Sequence, residues 1–135
     1  MTNNSRKEDL KEDELVDTLL RLSSKSLESR IKQLEQEIHA RKKLRDEFLE
    51  LMGTQQLRLE DKIWQLRYAS PNTHSWERLK DHEIELRRLE QMKISEQIAS
   101  AADVSRIQEN LQRAEEEFEE ESIKLKLVSE TENQE

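Results

Sequence analysis

The chain has no cysteine, a single glycine, a single proline, few aromatic side chains and no run approaching the roughly 18 apolar residues of a membrane span. Without cysteine there is neither a disulfide framework nor a thiolate metal site, and a reducing compartment is the natural setting. With one glycine, Gly53, the chain cannot build a glycine-rich phosphate loop. The opening "MTNNSRKEDLKEDEL" contains no apolar core of a signal peptide, so neither secretion nor membrane insertion is expected. The expectation is a soluble, intracellular protein, cytoplasmic with the nucleus left open.

What is present is charge and leucine. Of 135 residues 40% are charged and 33% hydrophobic, too little apolar material for an ordinary globular core. Composition of this kind also marks disorder, but here the apolar residues recur at helical spacing, which predicts long amphipathic helices. The net charge of −8 is unevenly placed: residues 94–135 hold four basic and twelve acidic groups, and the preceding residues balance. No segment is a basic platform, so direct binding of nucleic acid is not expected.

Along the chain, residues 1–9 are polar and predicted to be disordered. Leu10, Leu15, Leu19 and Leu22 lie near one helical face, with Val16 and Leu20 widening it, and predict a short amphipathic helix over about 8–22. The serines of "SSKS" (23–26) compete for backbone hydrogen bonds and mark its end, with one continuous helix as the alternative. From there a seam steps in fours and threes through Leu20, Ser24, Leu27, Ile31, Leu34, Ile38, Arg41, Arg45, Phe48, Met52, Gln55, Leu59, Lys62 and Leu66, predicting coiled-coil packing of a helix over about 24–68.

A second, less regular pattern predicts a helix over about 76–128. It runs through Trp76, Leu79, Leu86, Leu89, Ile94, Ile98, Ala101, Val104, Ile107, Leu111, Ala114, Phe118 and Leu125, with stutters. The tail 129–135 lacks apolar anchors and is predicted to be disordered. Between the patterns lies "RYASPNTHSW" (67–76), whose proline breaks a helix and whose length over 69–75 suffices for a turn. A reversal near residue 72 sets Leu59 near Leu86, Met52 near Met92, Leu34 near Ile107 and Leu111, and Leu27 near Phe118. It also sets Arg41 and Arg45 opposite "ASAAD" (99–103), where small side chains leave room for arginine stems and Asp103 offers a charge. The predicted fold is an all-α antiparallel coiled-coil hairpin preceded by a short amphipathic helix; a kinked parallel dimer is the rival, and two hairpins associating into a homodimer would make a four-helix assembly.

Residues that could carry chemistry were read against plainer roles. "HEIEL" (82–86) begins like a zinc-protease motif but has Leu86 where the second histidine is required, and His39, His74 and His82 are not spaced to join one another. The acid-rich "AEEEFEEES" (114–122) spreads carboxylates around a helix instead of gathering them on a glycine-containing turn, which predicts a solvated or docking face. No metal, no cofactor and no catalysis is expected, since solvated helical carboxylates have nothing to shift their pKa.

Trp64, Tyr68 and Trp76 gather near the predicted turn, either as a structural cap or as a docking site, because tryptophan and tyrosine are enriched at interface hot spots. Leu15, Leu19 and Leu22 either fold back on the hairpin or engage a partner. Arg41, Arg45, Gly53 and Ala101 mark a candidate hinge, Gly53 weakening its helix by roughly 1 kcal/mol relative to alanine. The packing residues are Leu27, Ile31, Leu34, Ile38, Phe48, Met52, Leu59, Leu66, Leu79, Leu86, Leu111 and Phe118.

The expected function is non-catalytic, an interaction subunit, adaptor or spacer binding other proteins through helical contacts. In outline such a hairpin resembles the stalk proteins of rotary export ATPases and the arms of prefoldin-type chaperones, through shape and no motif. That resemblance implies an aromatic tip working on another machine. A phage or capsid scaffolding helix is a third reading.

Overall fold

The computed structural model describes two α-helices, α1 (Thr2–Tyr68) and α2 (Thr73–Asn133), with side chains described over 11–68 and 75–131. The helices pack against each other as an all-α hairpin. Their contacts divide into two units: one formed by 1–37 with 107–135, the other by 38–106.

Among the described residues, the unit of 38–106 holds most of the hydrogen bonds between the helices. As α1 is followed forward, its partners on α2 come steadily closer in sequence: Arg41 bonds Asp103, 62 residues away, Gln56 bonds Lys93, 37 away, and Arg67 bonds Glu83, 16 away. Such a decreasing separation is the signature of an antiparallel pair. Met52, Ile63, Leu89 and Val104 form its buried apolar core, and Ser100 is buried with them.

In the unit of 1–37 and 107–135, Leu34 is 1% exposed and Ala114 is buried, while Leu27, Ile31, Leu111 and Phe118 lie half-buried along the same seam. Ser23 Oγ donates to Glu121 Oε1 at 2.6 Å.

Element boundaries differ from the sequence reading. The segment 8–22 is not a separate helix: α1 runs from Thr2 through the serines without a break. The Ser23 hydroxyl bonds across to α2 instead of competing for its own backbone, which removes the reason for an interruption. Residues 2–9, read as disordered, belong to α1, and α2 extends to Asn133. It also begins at Thr73, inside the predicted turn of 69–75; residues 69–72 of that turn, Pro71 among them, lie outside the described residues.

The α1 seam departs from its predicted course twice. Gln55 and Lys62 are exposed, and Gln56 and Ile63 face inward in their place. Two steps of four, Phe48 to Met52 to Gln56, carry the shift. On α2 the larger correction is at 93–101: Ile94, Ile98 and Ala101, read as seam residues, are exposed, and Lys93, Glu96 and Ser100 occupy the inner face.

Candidate functional site

The turn-distal end of the 38–106 unit is organised by Arg41. Its Nη1 bonds Glu96 Oε1 at 2.6 Å and its Nε bonds Asp103 Oδ2 at 2.9 Å, so one guanidinium is held by two carboxylates of the facing helix. The fork geometry of arginine suits this arrangement, and the charge-assisted bonds are the strong kind. They hold the Asp103 carboxyl below its ordinary range, chiefly through the hydrogen bond from Arg41, and raise the Arg41 guanidinium, chiefly through Glu96 and then Asp103. Asp103 also meets Arg106 at 3.5 Å on its own helix.

The Arg41 side chain thus occupies the space that the small residues of 99–103 were expected to leave open. Of the other candidate hinge residues, Arg45 pairs with its neighbour Asp46 at 3.0 Å, Ala101 is exposed, and Gly53 lies within α1 with no atom within 4 Å of where a Cβ would stand.

The turn-proximal end of the same unit carries an open groove lined by Ile63, Trp64, Arg67 and Tyr68 of α1 and by Glu83, Leu86, Arg87 and Glu90 of α2. Trp64 and Tyr68, one helical turn apart, have ring centroids 4.7 Å apart and planes tilted by 43°. Arg67 Nη2 donates to Glu83 Oε1 at 3.0 Å across the groove floor. Trp64 is 61% exposed and Tyr68 74%, and Trp76, 66% exposed, stands outside the groove lining. The structure therefore brings two of the three aromatics together and leaves all three largely open to solvent.

In the unit of 1–37 and 107–135, Leu15, Val16, Leu19 and Leu22 of α1 are exposed, as are Ile123 and Leu127 of α2. Leu15, Leu19 and Leu22 do not fold back as a helix of their own, since they are part of α1. The Glu121 carboxylate, bonded to Ser23 through Oε1, keeps its Oε2 buried with no hydrogen-bond partner. That acceptor was not legible from spacing, because a glutamate in "AEEEFEEES" reads as solvated until its facing residue is known.

The packing residues are placed as follows. Leu34 and Met52 are buried, and Leu27, Ile31, Ile38, Phe48, Leu59, Leu66, Leu79, Leu86, Leu111 and Phe118 are half-buried. The inward residues missed by the periodicity include Gln56, Ile63, Lys93, Glu96 and Ser100. Four of these are polar, and for Glu96 the signal was Arg41 in the facing seam.

His82 is half-buried in a second groove with Lys62, Leu66 and Arg78, His39 is exposed, and the side chain of His74 lies outside the described residues. Among the described residues there is no group of three or more histidine, aspartate or glutamate side chains placed to hold a metal ion, and no helix is long and apolar enough to cross a membrane. Compared with family models, with curated proteins and with solved structures, the chain matches none.

Proposed function

We propose that the chain is a non-catalytic helical hairpin that joins other proteins, acting as an interaction subunit or adaptor. The observation that carries this reading is that large apolar side chains, Leu15, Leu19, Leu22, Ile123 and Leu127 in one unit and Trp64, Tyr68 and Trp76 in the other, remain exposed after the helices have packed. Single exposed leucines are ordinary on any protein, but clusters at helical spacing on an amphipathic helix are surfaces that partners cover. The carboxylates of the described residues stand mostly on exposed helix faces, where water screens them.

A second reading is favoured by the tip. The Trp64–Tyr68 pair beside an arginine-bordered groove has the composition of an interface hot spot, so the tip can be the working end of a hairpin that acts on a larger machine.

One experiment separates the two and tests both. The tagged full chain is purified from its native cell as wild type, as Leu15→Ser/Leu19→Ser/Leu22→Ser and as Trp64→Ser/Tyr68→Ser/Trp76→Ser. Partners in fixed stoichiometry that are lost from the leucine variant support the first reading. Loss from the aromatic variant with unchanged helicity supports the second. A wild-type chain recovered without partners contradicts both.

A further inference from the structure

Along α2 the stretch 91–105 is turned inside out. Its three charged residues all face α1: Lys93 donates to Gln56, and Glu96 and Asp103 hold Arg41. On the other side stand Ile94 and Ile98, 56% and 66% exposed, with Gln91, Ala101, Ala102 and Ser105 exposed beside them. At about 100° per residue these six positions fall within roughly 100° of arc, on the side of α2 opposite Leu89, Glu96 and Ser100. Among the described residues of 91–105, none on this outer face is charged, in a chain of which 40% of the residues are.

The spacing of this face is itself a seam. Ile94, Ile98, Ala101 and Ser105 step by four, three and four, the rhythm of a helix packed on another helix. α1 lies against the opposite side of α2 and cannot be the helix that covers it.

Size and charge decide what does. The large side chains, Ile94 and Ile98, occupy the N-terminal half of the seam, and the small ones, Ala101 and Ser105, the C-terminal half. A second copy of α2, antiparallel about a two-fold axis between Ile98 and Ala101, sets Ile94 against Ser105 and Ile98 against Ala101, large against small in each layer. A parallel copy would set isoleucine on isoleucine and leave a gap where alanine meets alanine.

The 38–106 unit contains thirteen basic and twelve acidic residues, so two copies meet here without net repulsion. Arg88 and Arg106, at the edge of the face, are each paired on their own helix, with Glu85 at 3.6 Å and with Asp103 at 3.5 Å. A partner that brought charge to the face would lose water from it and find no counter-charge.

We propose that two copies of the chain associate through this outer face of α2, antiparallel and centred between Ile98 and Ala101. The face is about 21 Å long and one helix wide, which covers less than the roughly 800 Å² that each partner gives to a standard interface. The dimer is therefore reversible and forms as concentration rises. It concerns a second copy alone, and stands or falls apart from the reading of the chain as a subunit that joins other proteins.

The test is sedimentation equilibrium of the full chain over a concentration series, with helicity followed by circular dichroism. The expected result is a monomer–dimer equilibrium that Ile94→Glu/Ile98→Glu weakens at least tenfold with helicity unchanged, and that Leu15→Ser/Leu19→Ser/Leu22→Ser leaves as it is. Because the chain has no cysteine, orientation can be read by disulfide trapping of Ile94→Cys and Ser105→Cys chains, oxidised alone and as a mixture. The mixture is expected to form at least tenfold more crosslinked dimer than either chain alone. A chain that stays monomeric into the millimolar range overturns the proposal, and so does a dimer that the isoleucine variant leaves intact or the leucine variant abolishes. Crosslinking of Ile94→Cys to itself as readily as to Ser105→Cys overturns the antiparallel arrangement. If the wild type stays monomeric yet captures native partners, the proposal falls and the interaction-subunit reading stands.

Discussion

The two units of the hairpin are held by different means. In 38–106 the inner face is interrupted by charge, and the helices are tied by Arg41 to Glu96 and Asp103, by Lys93 to Gln56 and by Arg67 to Glu83. In 1–37 with 107–135 the seam runs mostly through apolar residues, from Leu27 to Leu34 and from Leu111 to Phe118, and the described bond across it is Ser23 to Glu121. Apolar seams are indifferent to small slips in register, whereas a guanidinium held at both edges has few alternatives. The first unit is therefore the one that specifies register, and the second the one that leaves apolar and acidic surface uncommitted.

That contrast can be broken most forcefully at Leu34. Replacing this fully buried side chain by alanine removes packing on both helices and is expected to cost about 2–5 kcal/mol in urea unfolding, while Leu44→Ala, at an exposed site of the other unit, stays within about 0.5 kcal/mol. A small loss at Leu34 would mean that the apolar seam is not what closes its unit.

Arg41→Ala comes next. It leaves Glu96 and Asp103 facing each other's charge without a cation between them, so the melting temperature falls; Arg45→Ala, which removes only a contact with the adjacent Asp46, lowers it less. A double-mutant cycle of Arg41 with Glu96 should show coupling, and its absence would reduce the crossing to a surface pair of little worth.

Gly53 sharpens the comparison in the opposite sense. It sits in the interior of α1 with no atom within 4 Å of an added Cβ, and no glycine among the described residues has positive φ, so Gly53→Ala is expected to stabilise by about 1 kcal/mol in thermal or chemical unfolding. Destabilisation would show that the glycine is required for a conformation other than the packed hairpin.

The smallest effect is on acid titration. The Asp103 carboxyl is depressed in the folded chain, so its contribution to stability is present above the ordinary carboxylate pKa and is lost as pH falls through its lower folded value. Asp103→Asn should remove that part of the pH dependence between neutral and strongly acidic solution, and a superimposable profile would contradict it. The group is partly exposed, and water limits the size of the change.

The helices and most of the seam were legible because a step of four and three residues is a geometric statement about one helix. Leu34, Met52, Leu89, Val104 and Ala114 are buried as that spacing implies. The stretch 93–101 was not legible for the same reason. Its apolar residues Ile94 and Ile98 outweigh Lys93, Glu96 and Ser100 in any count along α2 alone, and only the facing Arg41 and Gln56 make the polar set the better inner face. Continuity through Ser23 also depended on a partner, Glu121, 98 residues away. At the candidate sites, the aromatic cluster and the leucine stripe were visible as residue types, but whether packing would cover them was a tertiary question.

The central claim is that apolar side chains left exposed on α1, Leu19 among them, meet another protein, and that the polar groove lined by Asp17, Arg21, Ser122 and Lys126 does not. Site-specific photocrosslinking in the native cell tests it most directly, with the photoreactive residue placed at the exposed Leu19 or at Arg21 in the groove. The account predicts a crosslinked partner of defined mass from position 19 and none from position 21. Equal crosslinking at both positions, or crosslinking from position 21 alone, would contradict it.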